Sequence, residues 1–407
     1  NGGSEGGGGG GGRIAIFTAA ISNTVTLQAV GGSGFNRGGA GTVFIKIGDG
    51  RGTIFVSNGG DANIGESTGF PEPITLDANF DVRGGARVGP THGQTNFHLT
   101  ITGDASVHSG GVIYADGRGH GGGTGPGAGG PSHHAPYGSG AGHAGHGAVG
   151  LGGFPGGGVY GSVTSPSDLG SGGGHGFSSG GGAGGGVLRL TVNGTLTVDG
   201  IISANGHHGG GSYSGGGGSG GSVQVACGSM TGSGSITANG GNGGSEGGGG
   251  GGGRIAIFTC DIRVPIANIH SLGGSGYRSG QSGSIYFGSS AITITRQPVG
   301  GEYRGGDFFQ LGLAATSTNG SLSYQWRRRN TQGEFNPIAE NERGIFTEVN
   351  SDTLFIAGWD CRGAGVYDCL ICDSCGCFPS AQVTLGTIPP GDFNQDGGTD
   401  GADVEAF

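Results

Sequence analysis

The sequence predicts an all-β protein: a glycine-rich parallel β-solenoid, then a β-sandwich, then a short acidic tail. Three observations carry this. Apolar residues alternate with polar ones in short runs, as in Leu190, Val192, Leu196 and Val198, and such alternation marks a half-buried strand. The runs end at Gly, Asn-Gly or Asp-Gly, which supply the positive φ of a sharp corner. The pattern also recurs: Ala204-Asn205-Gly206 returns 34 residues later as Ala238-Asn239-Gly240. Helical periodicity is nowhere evident before the last four residues.

The repeat works at two scales. "NGGSEGGGGGGGRIAIFT" occupies residues 1–18 and returns, letter for letter, at 242–259. "GGSGFNRGGAGTVFIK" (31–46) parallels "GGSGYRSGQSGSIYFG" (273–288). One large unit therefore runs about 241 residues, giving the end of one unit at 1–45 and a complete unit at 46–290. Residue 1 falls inside a repeat, so a fragment cut at its N-terminus is expected. Inside the unit, 99–117, 190–206, 222–240 and 254–274 share a shorter pattern of two or three strands ending in sharp corners. One such coil cannot bury its apolar face, whereas stacked coils can. The strands at 188–192, 222–227 and 254–259 are thus expected to pair in parallel. Cys227 and Cys260 are expected at matching positions of neighbouring coils, near enough for a disulfide to be one outcome.

Glycine runs lie between the coils at 6–12, 121–130, 171–186, 208–221 and 241–253. They are either mobile surface loops or extended segments packed side by side, which only Gly permits. Their exact recurrence favours the second. Glycine supplies 110 of 407 residues without a Gly-X-Y period, which excludes collagen. The net charge of −10 and a single lysine, Lys46, argue against nucleic-acid binding. Arg327-Arg328-Arg329 reads as a solvated turn. No apolar stretch is long enough to span a membrane.

Composition changes near residue 290. Alternating Phe309, Leu311 and Leu313 precede "LSYQW", then "TLFI", then "GVYDC". With Trp326 on strand C and Tyr367 two residues before Cys369, residues 291–388 resemble an immunoglobulin-like β-sandwich. The strand B cysteine is missing, with Leu311 or Leu313 in its place, so Cys369 is expected to find another partner. Five cysteines fall within 361–377. Local disulfides across the last hairpin explain them better than a metal, because the ferredoxin spacing is not met.

The stretch 389–407 contains "GDFNQDGGTDGADVEAF". Asp392, Asn394, Asp396, Gly397, Asp400 and Asp403 stand at positions 1, 3, 5, 6, 9 and 12 of a calcium loop. The Gly398 carbonyl would complete the ligand set. Asp in place of Glu at the last position resembles the dockerin type I variant of the EF-hand. Such a tail implies a bound calcium ion and a cohesin-like or cell-surface partner. Its end four residues into a helix reads as a second cut. Together the modules resemble large secreted bacterial surface proteins. That resemblance implies an extracellular or cell-surface location and a non-enzymatic structural or adhesive role.

Eleven of twelve histidines lie in 92–208, where Gly-rich flanks favour polar filler over a metal site. A carbohydrate-binding role is one alternative, with extracellular glycans as partners. A β-helix polysaccharide lyase or hydrolase is another, but it needs clustered carboxylates. Asp61, Glu66, Asp77, Asp81, Asp104, Asp116 and Asp199 look scattered.

Overall fold

The structure is a computed structural model. It describes residues 6–20, 26–60, 66–70, 73–131, 136–177, 179–210, 215–288, 292–304, 308–317, 321–332, 334–357, 363–373 and 375–388. The chain divides into two compact units, 1–289 and 290–407. Among the described residues all regular structure is β except two short 3-10 turns.

In the first unit, β1 (Arg13–Thr18), β2 (Thr42–Ile47), β3 (Thr53–Ser57), β4 (Thr68–Gly69), β5 (Ile74–Leu76) and β6 (Asn79–Arg83) come first. Then come β7 (Arg87–Gly89), β8 (Asn96–Ile101), β9 (Ala105–Val107) and β10 (Val112–Tyr114). After residues 115–186, with no strand among the described residues, follow β11 (Val187–Val198), β12 (Ile201–Ser203), β13 (Ser222–Thr231) and β14 (Ser235–Thr237). The last are β15 (Arg254–Ile262), β16 (Ile269–His270) and β17 (Ser284–Gly288). One sheet runs β1-β2-β3-β6-β9-β11-β13-β15-β17, with β8 beside β11 and β5 beside β8. A second runs β16-β14-β12-β10-β7-β4. The inward faces of both sheets share one core, which includes Leu190, Val225 and Ile257 from the first and Ile113, Ile202 and Ile236 from the second.

The strands over 188–192, 222–227 and 254–259 pair in parallel, as the alternation predicts. The first sheet is nevertheless mixed, because β2 and β3 form an antiparallel hairpin. The corner Ile47-Gly48-Asp49-Gly50 causes this, with Gly48 at φ 54°. The cysteine expectation needs correction: Cys227 lies opposite Thr259, one residue short of Cys260. A one-residue offset puts two side chains on opposite faces. Cys227 is accordingly buried, and burial pushes its thiol up to about 11. Cys260 is exposed and disulfide-bonded, so no bond joins the two.

The glycine segments 215–221 and 247–253 pack side by side, and they are not β-strands. Gly216 and Ser219 donate to Gly174 and Ser171; Gly217 and Gly220 to Gly248 and Gly251; Gly218 and Gly221 to His207 and Ala204. The partner segment changes with each residue and returns every third, which is the period of a polyproline II helix. Residues 248–253 do the same toward 138–141, 278–281 and 238–241. None of these glycines has a positive φ. Their lack of a side chain is steric instead: a Cβ on Gly217 would lie 1.9 Å from the Gly241 carbonyl oxygen. The same holds at an Asn-Gly corner expected to need positive φ. At Gly206 the φ is ordinary, and a Cβ would meet the Gly218 oxygen at 2.3 Å. Ordering a glycine costs roughly 0.5–1 kcal/mol more than ordering Ala. A net hydrogen bond returns about 0.5–1.5 kcal/mol, so the bundle holds together with little apolar burial.

The second unit is a sandwich of antiparallel strands around one core. Phe308–Gly312, Thr353–Ala357 and Phe346–Thr347 form one sheet. Ser323–Arg329 and Gly365–Asp373 are central to the other, which also carries one parallel pair, Gly301–Arg304 with Val383–Ile388. Trp326, Tyr367, Leu311 and Cys369 are fully buried in the core. The Tyr367 hydroxyl donates to the Gly363 carbonyl at 2.5 Å, the corner of an immunoglobulin-like layout. Cys372 and Cys377 form a disulfide across the hairpin. Cys369 needs no partner, contrary to expectation: it is a buried thiol pushed up to about 12. The arginine run is also corrected. It lies in a strand, and Arg327 holds the buried Asp368 carboxylate bidentately at 2.9 and 2.7 Å.

Two substitutions test these accounts. Gly→Ala at a tolerant site normally stabilises by about 0.4–1 kcal/mol. Gly121, with open space around it, should follow that rule. Gly217→Ala should instead cost about 3 kcal/mol or more, read as a drop in the melting temperature of the first unit. In the second unit, Arg327→Met leaves Asp368 buried and unpaired. It should cost about 3–5 kcal/mol in chemical denaturation, whereas Arg329→Met should not.

Candidate functional site

The calcium-loop residues Asp392, Asn394, Asp396, Gly398, Asp400 and Asp403 lie outside the described residues. Among the described residues no group of three or more His, Cys, Asp or Glu side chains converges as a metal site.

What the structure does bring together is a polar groove over the corners of the second sheet. Three corner residues form a ladder. Asn205 N–H donates to Asp116 Oδ1 at 2.6 Å, Asn239 N–H to Asn205 Oδ1 at 2.7 Å, and Leu272 N–H to Asn239 Oδ1 at 2.7 Å. Above it lie adjoining cavities of about 720 and 480 Å³ that share Arg87, Asp116 and His207. The Arg87 guanidinium stacks 4.1 Å over the Tyr114 ring. Burial pushes the Asp116 carboxyl above its ordinary value, opposed by bonds from Asn205 and Ser203 and by the charges of Arg87 and His207. Glu66 lines the same smaller cavity as Asp116. The ladder fixes the groove floor, and the charged and amide groups can hydrogen-bond a polar chain laid along it.

The other carboxylates named from the sequence serve the fold. Asp81 accepts from Arg83 and contacts His108, Asp77 pairs with Arg51, Asp104 accepts from Thr195 N–H and Asp199 from Ser233 N–H. Asp61 lies outside the described residues.

A second polar cluster is buried in the glycine bundle. His143 is fully buried and stacks on Tyr160 at 4.7 Å between ring centres. Its Nδ1 lies 2.9 Å from the Gly220 carbonyl, so Nδ1 carries the proton and Nε2 is a bare acceptor. The Tyr160 hydroxyl donates to the Leu169 carbonyl and contacts Ser171 Oγ at 2.7 Å; burial pushes it up to about 12. Arg254 closes the cluster by donating to the Tyr160 carbonyl. This rigid setting corrects the reading of His143 as loop filler.

No protein family matches the sequence, and no curated protein matches it. Among solved structures, extracellular domains 3–5 of Drosophila OTK align at 20% identity over 28% of this chain and 38% of that one, with a TM-score of 0.21. Titin I-band fragment I67–I69 aligns at 19% identity over 24% and 32%, with a TM-score of 0.20. The four N-terminal Ig domains of a Dscam1 isoform align at 17% over 27% and 29%, with a TM-score of 0.22. The chain thus spans less than two-fifths of each. The layout of residues 291–388 rests on its own strand pairing and corner tyrosine. The fold defines an all-β protein with an immunoglobulin-like second unit.

His143 sets a pH dependence. Burial, its largest cause, depresses His143 to about 4 from the ordinary 6.5, so the folded state holds it neutral. Above pH 6.5 neither state is protonated and the stability is fully present. As pH falls from 6.5 toward 4, the unfolded chain takes up a proton that the folded chain resists. At about 1.4 kcal/mol per unit, the first unit should lose roughly 3 kcal/mol and then level off. Chemical denaturation at pH 7 and 4.5 should show this loss, and His143→Gln should flatten it.

Proposed function

We propose that the chain is a non-enzymatic extracellular structural or adhesive surface protein. Its glycine-rich unit acts as a stiff parallel β-solenoid, and its C-terminal stretch as a calcium-dependent docking module. The packed bundle carries this reading. Segments tied to three neighbours by backbone bonds resist bending, which suits a stiff structural spacer. The Cys372–Cys377 disulfide fits an oxidising compartment outside the cell. Asp392, Asn394, Asp396, Asp400 and Asp403, with the Gly398 carbonyl, would supply hard oxygens to one calcium ion. Without the ion, four carboxylates held close repel. Binding would therefore order the segment and present it to a cohesin-like or cell-surface partner.

A second reading is favoured by the groove. Asp116, Arg87 and the corner amides of Asn205 and Asn239 suit a glycan chain lying across successive corners. Hydrolysis or elimination would need Glu66 and Asp116 to act as a pair.

Isothermal titration of the full chain with calcium should give heat, with a dissociation constant in the range of about 10⁻⁴–10⁻³ M. Asp392→Ala and Asp403→Ala should each remove it. No heat, or unchanged heat in both variants, defeats the calcium reading. A glycan array with the parent and Asp116→Asn chains tests the groove: binding lost in the variant supports it, and polysaccharide cleavage lost in the variant would make the protein an enzyme.

A further inference from the structure

The corners of the second sheet use up oxygens and leave nitrogens. Asn205 Oδ1 accepts from Asn239 N–H, and Asn239 Oδ1 from Leu272 N–H. A second ladder runs beside the first. His208 Nδ1 accepts from Asn242 N–H at 2.8 Å, and Asn242 Oδ1 from Ser275 N–H at 2.9 Å. The corner carbonyls are engaged as well. Those of Asn205, Asn239 and Leu272 accept from Gly117, Gly206 and Gly240, and those of Asn242 and His207 from Gly209 and Gly218. Both oxygens of Asp116 are taken, Oδ1 by Asn205 N–H and Oδ2 by the Ser203 hydroxyl.

What remains for a ligand is a set of N–H donors. An asparagine whose oxygen is held still has two amide hydrogens to give. Asn205, Asn239 and Asn242 all line the cavity of about 720 Å³, and among the described residues their amide nitrogens meet no protein acceptor. His208 lines it too, and with Nδ1 accepting, its Nε2 carries the proton. Arg87 adds a full positive charge, held in place by the Tyr114 ring. Among the described residues Asp116 is the one carboxylate in that lining. A sugar hydroxyl both donates and accepts, whereas a carboxylate only accepts. A strip of donors with an arginine therefore favours a carboxylate, and the planar guanidinium matches its geometry. This preference is local, because the chain as a whole carries a net charge of −10. The ladder steps by one coil, ~4.8 Å, close to the length of one pyranose unit in an extended chain.

We propose that the groove binds an acidic glycan, a polyuronate chain whose carboxylates rest on the amides of Asn205, Asn239 and Asn242 and on Arg87. This inference rests on the glycan reading of the groove and names its ligand class.

The test is isothermal titration of the full chain with oligogalacturonate and with oligomannuronate. Calcium is chelated, so that the C-terminal stretch cannot bridge to the acid. At least one acid should bind, more weakly as salt is raised. Fully methyl-esterified oligogalacturonate keeps the sugar backbone without the charge, and should bind about tenfold more weakly or worse. Asn205→Asp and Asn239→Asp keep an oxygen for the ladder and replace the donor with a negative acceptor. Each should weaken acid binding by about tenfold or more without changing the melting temperature of the first unit. Arg87→Gln should do the same and stands in if either Asp variant fails to fold. Ester bound as tightly as acid, or acid binding that survives these variants, overturns the proposal and leaves the glycan reading standing. Binding of neither acid also overturns it; only if the glycan array is blank as well does the glycan reading fall with it.

Discussion

In the first unit a carbonyl oxygen of one segment stands where a neighbouring segment's Cβ would be. At Gly217, Gly250 and Gly253 the gap is about 2 Å, far inside any real carbon–oxygen contact. Removing side chains lets the segments approach closely enough to bond directly through their backbones. Three neighbours per segment then follow from a three-residue turn, since each successive N–H points a third of the way round. The sheets depend on this arrangement. Residues 247–253 deliver the chain to β15 in register with β13, and residues 215–221 deliver it to β13 in register with β11.

The parallel pairing was legible because alternation has a phase. Val223 and Val225 match Ile255 and Ile257 inward, and that phase alone places Cys227 against Thr259. Cys260 falls one residue out of that phase and so cannot face Cys227. The bundle was legible only as crowding. A run of identical residues has no phase, so neither its three-residue period nor its partners can be read from it. The 115–186 insertion hid the coil offset between β8 and β11 for the same reason.

The candidate sites divide along similar lines. The calcium loop is a local pattern, visible in twelve consecutive residues. The groove is not local: Asp116, Asn205 and Asn239 are brought together only by stacking, and each looks like an ordinary corner residue alone. The Arg327–Asp368 pair was invisible because its members are 41 residues apart. An arginine run with no partner in its own neighbourhood reads as solvated. His143 is not legible as a buried residue because Gly-rich flanks read as loose, whereas here they are closely packed.

The two units therefore answer to different constraints. The second is held by an apolar core around Trp326 and Tyr367, where side chains of similar volume can replace one another. The first adds to its apolar core a glycine bundle held by backbone contacts, where no side chain can substitute for none. In such a bundle a glycine is as specific as a core tryptophan, because every alternative is larger. That gives a physical reason for two copies of a glycine run to stay identical.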